Sequence, residues 1–356
     1  MALGDVLGHE RVKAALLQSL RQQRLPSAML FSGPEGIGKR MLAVEVARAL
    51  ICEQPSGDAC GQCSPCLRIT HARDSLADLR AQAQAADEAV AFNLRLHPDL
   101  LLVEPMKDTI RVEQARAIVS EVAERPFEGR GRAIVIDDAH CLTEQAANAL
   151  LKSLEEPPSG THFMLVTSSP EALLATIRSR CHRLRFAALP SATISSALVE
   201  RWGISPEEAQ LRTRLSGGSL KVAVAFDSDA YRNLRDTLIG LLERWGDLDE
   251  LGRLDAAQTL ADLDEPREAL GILRSLLRDV AVLSEGAEAT RALNSDVVER
   301  LAVLGSSAFG RRAAELADCV ERAARALRAN AHRGLTLDRL MDSVASAPGL
   351  RGEDRA

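Results

Sequence analysis

Apolar residues recur every three to four positions from Val12 to Arg24, a spacing that predicts an amphipathic helix. An unbroken apolar run, Ala28-Met29-Leu30-Phe31, follows and stops at Ser32-Gly33-Pro34, so it reads as a buried strand ending in a turn. Helical spacing resumes at Lys39. Three more strand runs are Leu100 to Val103, Ala133 to Ile136 and Phe163 to Val166; helical stretches at Val112 to Glu124, Thr143 to Leu154 and Pro170 to Thr176 alternate with them. Apolar strands alternating with helices predict a parallel α/β sheet covered by helices.

Beyond Phe186 the strand signals stop. Three short amphipathic helices are expected at Ile194 to Trp202, Pro206 to Leu215 and Gly218 to Phe226. Longer helical patterns follow at Leu234 to Trp245, Glu268 to Leu283, Val297 to Leu304, Arg311 to Arg328 and Leu337 to Val344. The stretch Ala72 to Val90, rich in Ala, Asp, Arg and Gln, predicts an exposed insertion helix. The expected division is an α/β domain over 1–186, a lid-sized three-helix bundle over 187–228, an all-helical domain over 229–346 and a frayed tail over 347–356.

Composition narrows this picture. A length of 356 residues suits two or three domains, and 46% hydrophobic with 26% charged residues excludes long disorder. Aromatic residues are only 3%, which favours helices over an aromatic-rich β-sandwich. The net charge of −6 argues against a general nucleic-acid binder and for protein partners. No apolar run approaches the roughly 20 residues that cross a bilayer, and the opening MALGDVLGHERVK lacks a signal peptide's apolar stretch, so no membrane role and a cytoplasmic location are expected.

Of seven cysteines, four fall close together as Cys52, Cys60, Cys63 and Cys66, unlike an evenly paired disulfide framework. Short spacings with Gly61 and Pro65 let the chain wrap a metal. Four thiolates suit a closed, structural, tetrahedral Zn²⁺ site, with an iron–sulfur cluster as the chemical rival.

The segment Gly33-Pro34-Glu35-Gly36-Ile37-Gly38-Lys39-Arg40 follows a strand and opens a helix, the setting of a phosphate-binding loop for ATP or ADP. Its glycines let backbone N–H groups converge on phosphate, and Lys39 reaches the outer phosphates. The hydroxyl expected after the lysine, a ligand to Mg²⁺, is replaced by Arg40, so efficient hydrolysis is not expected. A glycine-rich turn without ligand is the plainer alternative. Asp137 and Asp138 end the third strand run, where such acids hold Mg²⁺ and orient water; a helix N-cap would use the same residues.

The run from Leu142 continues through Asn148-Ala-Leu-Leu-Lys152-Ser-Leu-Glu155-Glu156-Pro157-Pro158, then Thr167-Ser168-Ser169-Pro170 and Ile177-Arg178-Ser179-Arg180-Cys181. With Gly8-His9-Glu10, Leu25-Pro26 and His97-Pro98-Asp99, this set resembles the clamp-loader branch of the AAA+ ATPases over roughly Val6 to Phe226. The remainder matches loosely, through Asn330 and Leu335 to Leu340.

The resemblance implies several things. The cysteine module falls where bacterial members carry zinc. The bundle becomes the lid and the all-helical domain an oligomerising collar. Arg40 and Asp138 depart from the motor subunits, and the chain is similar instead to the delta-prime, or stator, branch of the bacterial DNA polymerase III clamp loader. Arg180 matches the arginine that enters a neighbour's ATP site. Lys221 stands where relatives place an arginine on the γ-phosphate, keeping the charge without the fork. Thr167 or Ser168 occupies the polar sensor position, though a strand-ending turn is an equal reading. The implied partners are motor (gamma/tau) and delta subunits in a pentamer, and through them a sliding clamp and primed DNA. The alternatives are an active motor subunit and a zinc-dependent nucleic-acid-binding protein on the same scaffold.

Overall fold

The four apolar runs become strands, and two polar segments join them. In this computed structural model the described residues are 3–54, 57–128, 131–245, 248–263, 266–288, 291–307, 309–328 and 331–345. The expected tail over 347–356 and Asn330 lie outside them. The strands are β1 (Ala28–Ser32), β2 (Asn93–His97), β3 (Leu100–Val103), β4 (Arg132–Ile136), β5 (Thr161–Thr167) and β6 (His182–Arg185). They form one sheet in the order β2-β3-β4-β5-β1-β6.

Alternate residues of the same strands feed two cores. Met29, Phe31, Val135, Met164 and Val166 join one cluster, while Leu30, Ile134, Ile136, Phe163 and Leu165 join the other. That is the period-two consequence of the pleat, with helices on both faces. Register sets the site: Ser32 pairs with Thr167, and Leu165 pairs with Ile136, so the carboxyl ends of β1, β5 and β4 lie side by side.

The sheet is not wholly parallel, as the alternation of runs had suggested. Strand β2 is antiparallel to β3, because only Pro98 and Asp99 link them and a parallel crossover needs a dozen residues or more. Asp99 holds the turn's surroundings by accepting from the backbone N–H of Phe127 and Glu128 at 2.6 and 2.9 Å.

The stretch Ala72 to Val90 is not one exposed helix. Helix Ser64–Asp74 ends at Ser75, a second runs from Leu76 to Ala86, and a 3-10 turn covers Ala89–Phe92. Leu76, Leu79 and Ala83 recur at helical spacing and pack on the core, with Ala83 buried. The helix expected at Pro170 to Thr176 is also displaced. Leu174 is non-helical, which splits the segment into a 3-10 turn at Pro170–Ala172 and a helix at Ala175–Arg180.

Helix Lys39–Ile51 is buried almost all round, including Glu45 and Arg48. These two pair at 2.7 Å, and Arg73 and Thr70 of the following helix bond the same pair at 2.9 Å each. Buried charges survive only when so matched.

The chain divides into two compact units, residues 1–226 and 227–356. In the second, helix Pro266–Ser284 contacts helices Ser228–Arg244, Val298–Gly305 and Ala313–Arg328. Its buried Asp279 accepts from the backbone N–H of Leu293 and Asn294. Helix Glu250–Ala261, which the hydrophobic pattern did not announce, lies against helix Arg333–Ala345. No described helix is long and apolar enough to cross a membrane.

Candidate functional site

After β1 the chain turns through Gly33–Gly38 and enters the helix at Lys39. Gly36 and Gly38 sit at φ +73° and +98°, which side chains rarely adopt. A Cβ on Gly36 would also stand 2.1 Å from Ser219 Oγ, so the segment Ser219–Lys221 lies directly on the loop. The Lys221 amide donates to Gly36 O at 3.1 Å, and its ammonium to Glu35 at 2.8 Å. That bond holds the Glu35 carboxyl below its ordinary range.

Lys39 Nζ donates to Gly33 O and Pro34 O at 2.8 and 2.5 Å, and burial lowers its pKa. Over the loop opens a cavity of about 730 Å³, lined by Glu35 through Met41, Asp137, Asp138 and Lys221, with Val6, Leu7, Leu189 and Trp202 as apolar wall. That volume and mixture suit a small-molecule or nucleotide pocket. Gly33, Pro34 and Thr167 do not line it.

At the end of β4, Asp137 is nearly buried and meets Arg40. Arg40 Nη1 donates to Asp137 Oδ2 at 2.9 Å and to Glu104 Oε1 at 3.2 Å. Glu104 is gripped from its other side by Arg80, at 2.7 and 2.5 Å. Burial pushes the Asp137 carboxyl above its usual range, and Arg40 opposes that rise. The Mg²⁺ implied by the fold family does not fit these residues. The side chain that should offer a hydroxyl is a cation, already bonded to the carboxylate that would hold the metal.

Asp138 takes a left-handed conformation, φ 44°, at the start of the short turn Ala139–Cys141 and makes no side-chain cap bond. Asp138 thus stands at the turn's N-cap position without capping it through its side chain, and the Asp137 carboxylate is taken by Arg40. Thr167 is fully buried; its Oγ1 lies 3.3 Å from His140 Nδ1 and accepts from the Ser169 amide at 3.0 Å.

Arg180 ends helix Ala175–Arg180 and does not line the cavity. Its Nε and Nη2 lie 3.0 and 2.9 Å from Glu155 Oε2, and Nη1 donates to Thr176 O at 3.2 Å. Glu155 is exposed, at the end of helix Glu144–Glu155.

The sulfurs of Cys52, Cys60, Cys63 and Cys66 all lie within 4.8 Å of one another, and Cys52 to Cys63 measures 3.8 Å. Thiolates about 2.3 Å from a tetrahedral metal would stand roughly 3.8 Å apart, so the four residues fit a metal ion. Backbone N–H groups of Cys60 and Gln54 point at Cys52 Sγ, and those of Cys63 and Gln62 at Cys60 Sγ, at 3.3 to 3.5 Å. The last two bring the Cys60 thiol down to about 6, while burial raises Cys52 and Cys66.

Five more residues stand near these groups, two of which, Glu155 and His9, lie in segments that carry the family resemblance. Glu104, Arg80, Glu155 and His140 are brought in by tertiary contacts, from separate elements. His9 reaches Ile37 O at 2.8 Å and sets its ring edge-on to Phe186.

Residues 8–190 match the family described as DNA polymerase III, delta subunit. The chain is 35% identical over 228 residues to DNA polymerase III subunit delta' of Escherichia coli K12, covering 63% of this chain and 61% of that one. It is 31% identical to the Bacillus subtilis delta' subunit, covering 65% and 64%. Against the gamma/tau subunit of Mycobacterium tuberculosis it is 29% identical over 84% of this chain and spans about half (48%) of the relative's length. Among solved structures, a Thermotoga maritima gamma-subunit-related protein matches at TM-score 0.40 and 16% identity, over 92% of this chain and 98% of that one.

Proposed function

The chain belongs to the DNA polymerase III delta subunit family, and from that premise we propose that it is the delta-prime, stator-type member of a clamp loader. In this reading it joins motor (gamma/tau) and delta chains in a five-membered cytoplasmic ring. The ring uses ATP to open a sliding clamp and place it on primed DNA. The observation that carries the reading is Arg180, which stands outside the chain's own cavity at a partly exposed helix end, where a neighbour can receive it. A guanidinium entering an adjacent ATP site stabilises charge on the transferring phosphate. Arg40 supports the same view from the other side, since a site with its own cation on Asp137 is poorly built for hydrolysis.

Cys52, Cys60, Cys63 and Cys66 would hold Zn²⁺. With four protein ligands the ion supplies cross-linking and no reaction chemistry. Lys39, Arg40 and the amides of the loop would hold ATP or ADP, with Lys221 at the lid and Thr167 behind the acid pair.

Mixing the purified chain with motor and delta subunits and resolving the products by size exclusion tests the assignment. A pentamer that lacks this chain when all are present would end it. The motor reading draws on the gamma/tau alignment, which spans more of the chain than the delta' ones. It requires the isolated chain to turn over ATP at about 1 s⁻¹ or faster; the stator reading expects far less.

A further inference from the structure

We infer that the cavity over residues 35–41 takes a nucleoside di- or triphosphate free of divalent metal, with Arg40 standing in place of the metal ion. The inference rests on the nucleotide reading of that cavity and deepens it.

In an ordinary phosphate loop the lysine and Mg²⁺ together offset the polyphosphate, and an acid holds the metal. Here that acid is answered from within. Asp137 is bonded to Arg40, and Glu104, the next carboxylate, is shared between Arg40 and the fork of Arg80. Glu35 is tied to Lys221. Of the acid pair, Asp138 alone makes no ion pair among the described residues, so a single carboxylate of that pair is left to recruit a divalent cation. A metal bound at Asp137 would have to break the 2.9 Å contact and sit beside a guanidinium.

Arg40 nonetheless has donors to give. One nitrogen, Nη1, serves both carboxylates, while Nε and Nη2 make no hydrogen bond among the described residues. The side chain is 41% exposed, and the residue lines the cavity next to Lys39. A planar guanidinium suits phosphate oxygens, which it can bind two at a time. Lys39 and Arg40 thus present two fixed cations to a polyanion. Metal complexation would weaken the attraction by cutting the ligand's charge and placing Mg²⁺ near Arg40.

Titration calorimetry of the full-length chain with ADP, once in EDTA and once in excess Mg²⁺, tests this. Binding in EDTA is expected to be at least as tight as in Mg²⁺. Arg40→Ala should weaken metal-free binding by about tenfold or more, the scale of one hydrogen bond to a charged group. Arg40→Thr, which supplies the missing hydroxyl, should make Mg²⁺ favourable to binding. Melting curves confirm that the variants are folded, and Lys39→Ala, which leaves the Arg40 pairs intact, should lose binding in both media. Tighter binding of the parent in Mg²⁺, absence of binding in EDTA, or an Arg40→Ala variant that binds like the parent would each overturn the inference. The clamp-loader assignment is scored separately, by pentamer assembly, which asks nothing of this pocket.

Discussion

Arg40 and Arg180 make the same chemical pair, a guanidinium on a carboxylate at 2.9 Å, in two very different settings. The partner of Arg40 is Asp137, whose side chain is 12% exposed; the partner of Arg180 is Glu155, 56% exposed. Breaking the first pair strands a buried carboxylate, which costs about 1–3 kcal/mol. Breaking the second returns an acid to water, and such surface pairs are worth about 0–1 kcal/mol. Arg40 is therefore fixed inside its own site, whereas Arg180 is held only weakly. A pair's length says little about its strength, and the burial of the acid decides.

The largest test acts on Arg180, the arginine proposed for a neighbour's site. In a reconstituted loader, Arg180→Ala should lower DNA-dependent ATP turnover by up to about 10³ to 10⁵ at the affected site, diluted by sites served by other subunits. Assembly and melting temperature should stay put. Arg180→Lys should rescue poorly, because an ammonium lacks the planar fork. A variant that loads clamps like the parent would make Arg180 a bystander and erase the contrast.

Next comes the four-cysteine cluster. Cys63→Ser should remove the metal, read as a fall from about one Zn per chain by elemental analysis, with a loss of stability on the order of several kcal/mol. An iron chromophore in the parent would replace zinc as the identity of the ion.

Arg40→Ala should cost about 1–3 kcal/mol at neutral pH, measured by urea denaturation. The pH dependence has a definite sign. Burial raises the Asp137 carboxyl, so its contribution favours the fold when protonated and is lost as pH rises through its folded-state value. Removing Arg40 enlarges that loss. The variant's deficit should therefore shrink on acidification, and a deficit that grows in acid would show that Arg40 does not neutralise Asp137.

The smallest effect is expected at the exposed acid. Glu155→Gln should change stability by less than about 1 kcal/mol. A larger loss would mean that the Arg180 pair is structural and not available for lending.

Much of this was legible in the sequence, and the omissions have physical reasons. Runs such as Ala133 to Ile136 announce buried strands because both faces are covered. His182–Arg185 does not, since three of its four residues are exposed and its place comes from backbone pairing with β1. Helix Glu250–Ala261 exposes Leu251 and Leu254 while burying Ala256 and Ala257, which blurs the stripe that periodicity relies on. Lys39, Arg40 and the two aspartates could be singled out by local pattern. Glu104 and Arg80 could not, because Glu104 stands 64 positions from Arg40 and 24 from Arg80, the two arginines that it accepts from. Glu45 and Arg48 look like an ordinary surface pair at helical spacing, yet both are buried.

The two margins of the sheet bear on how the chain behaves at high concentration. Strand β6 carries His182, Arg183 and Arg185, and β2 carries Arg95, exposed and tied to Glu121. Cations along a border strand discourage a second copy from adding its own strand there. Made in excess, the chain should stay dispersed at these borders and not stack edge to edge.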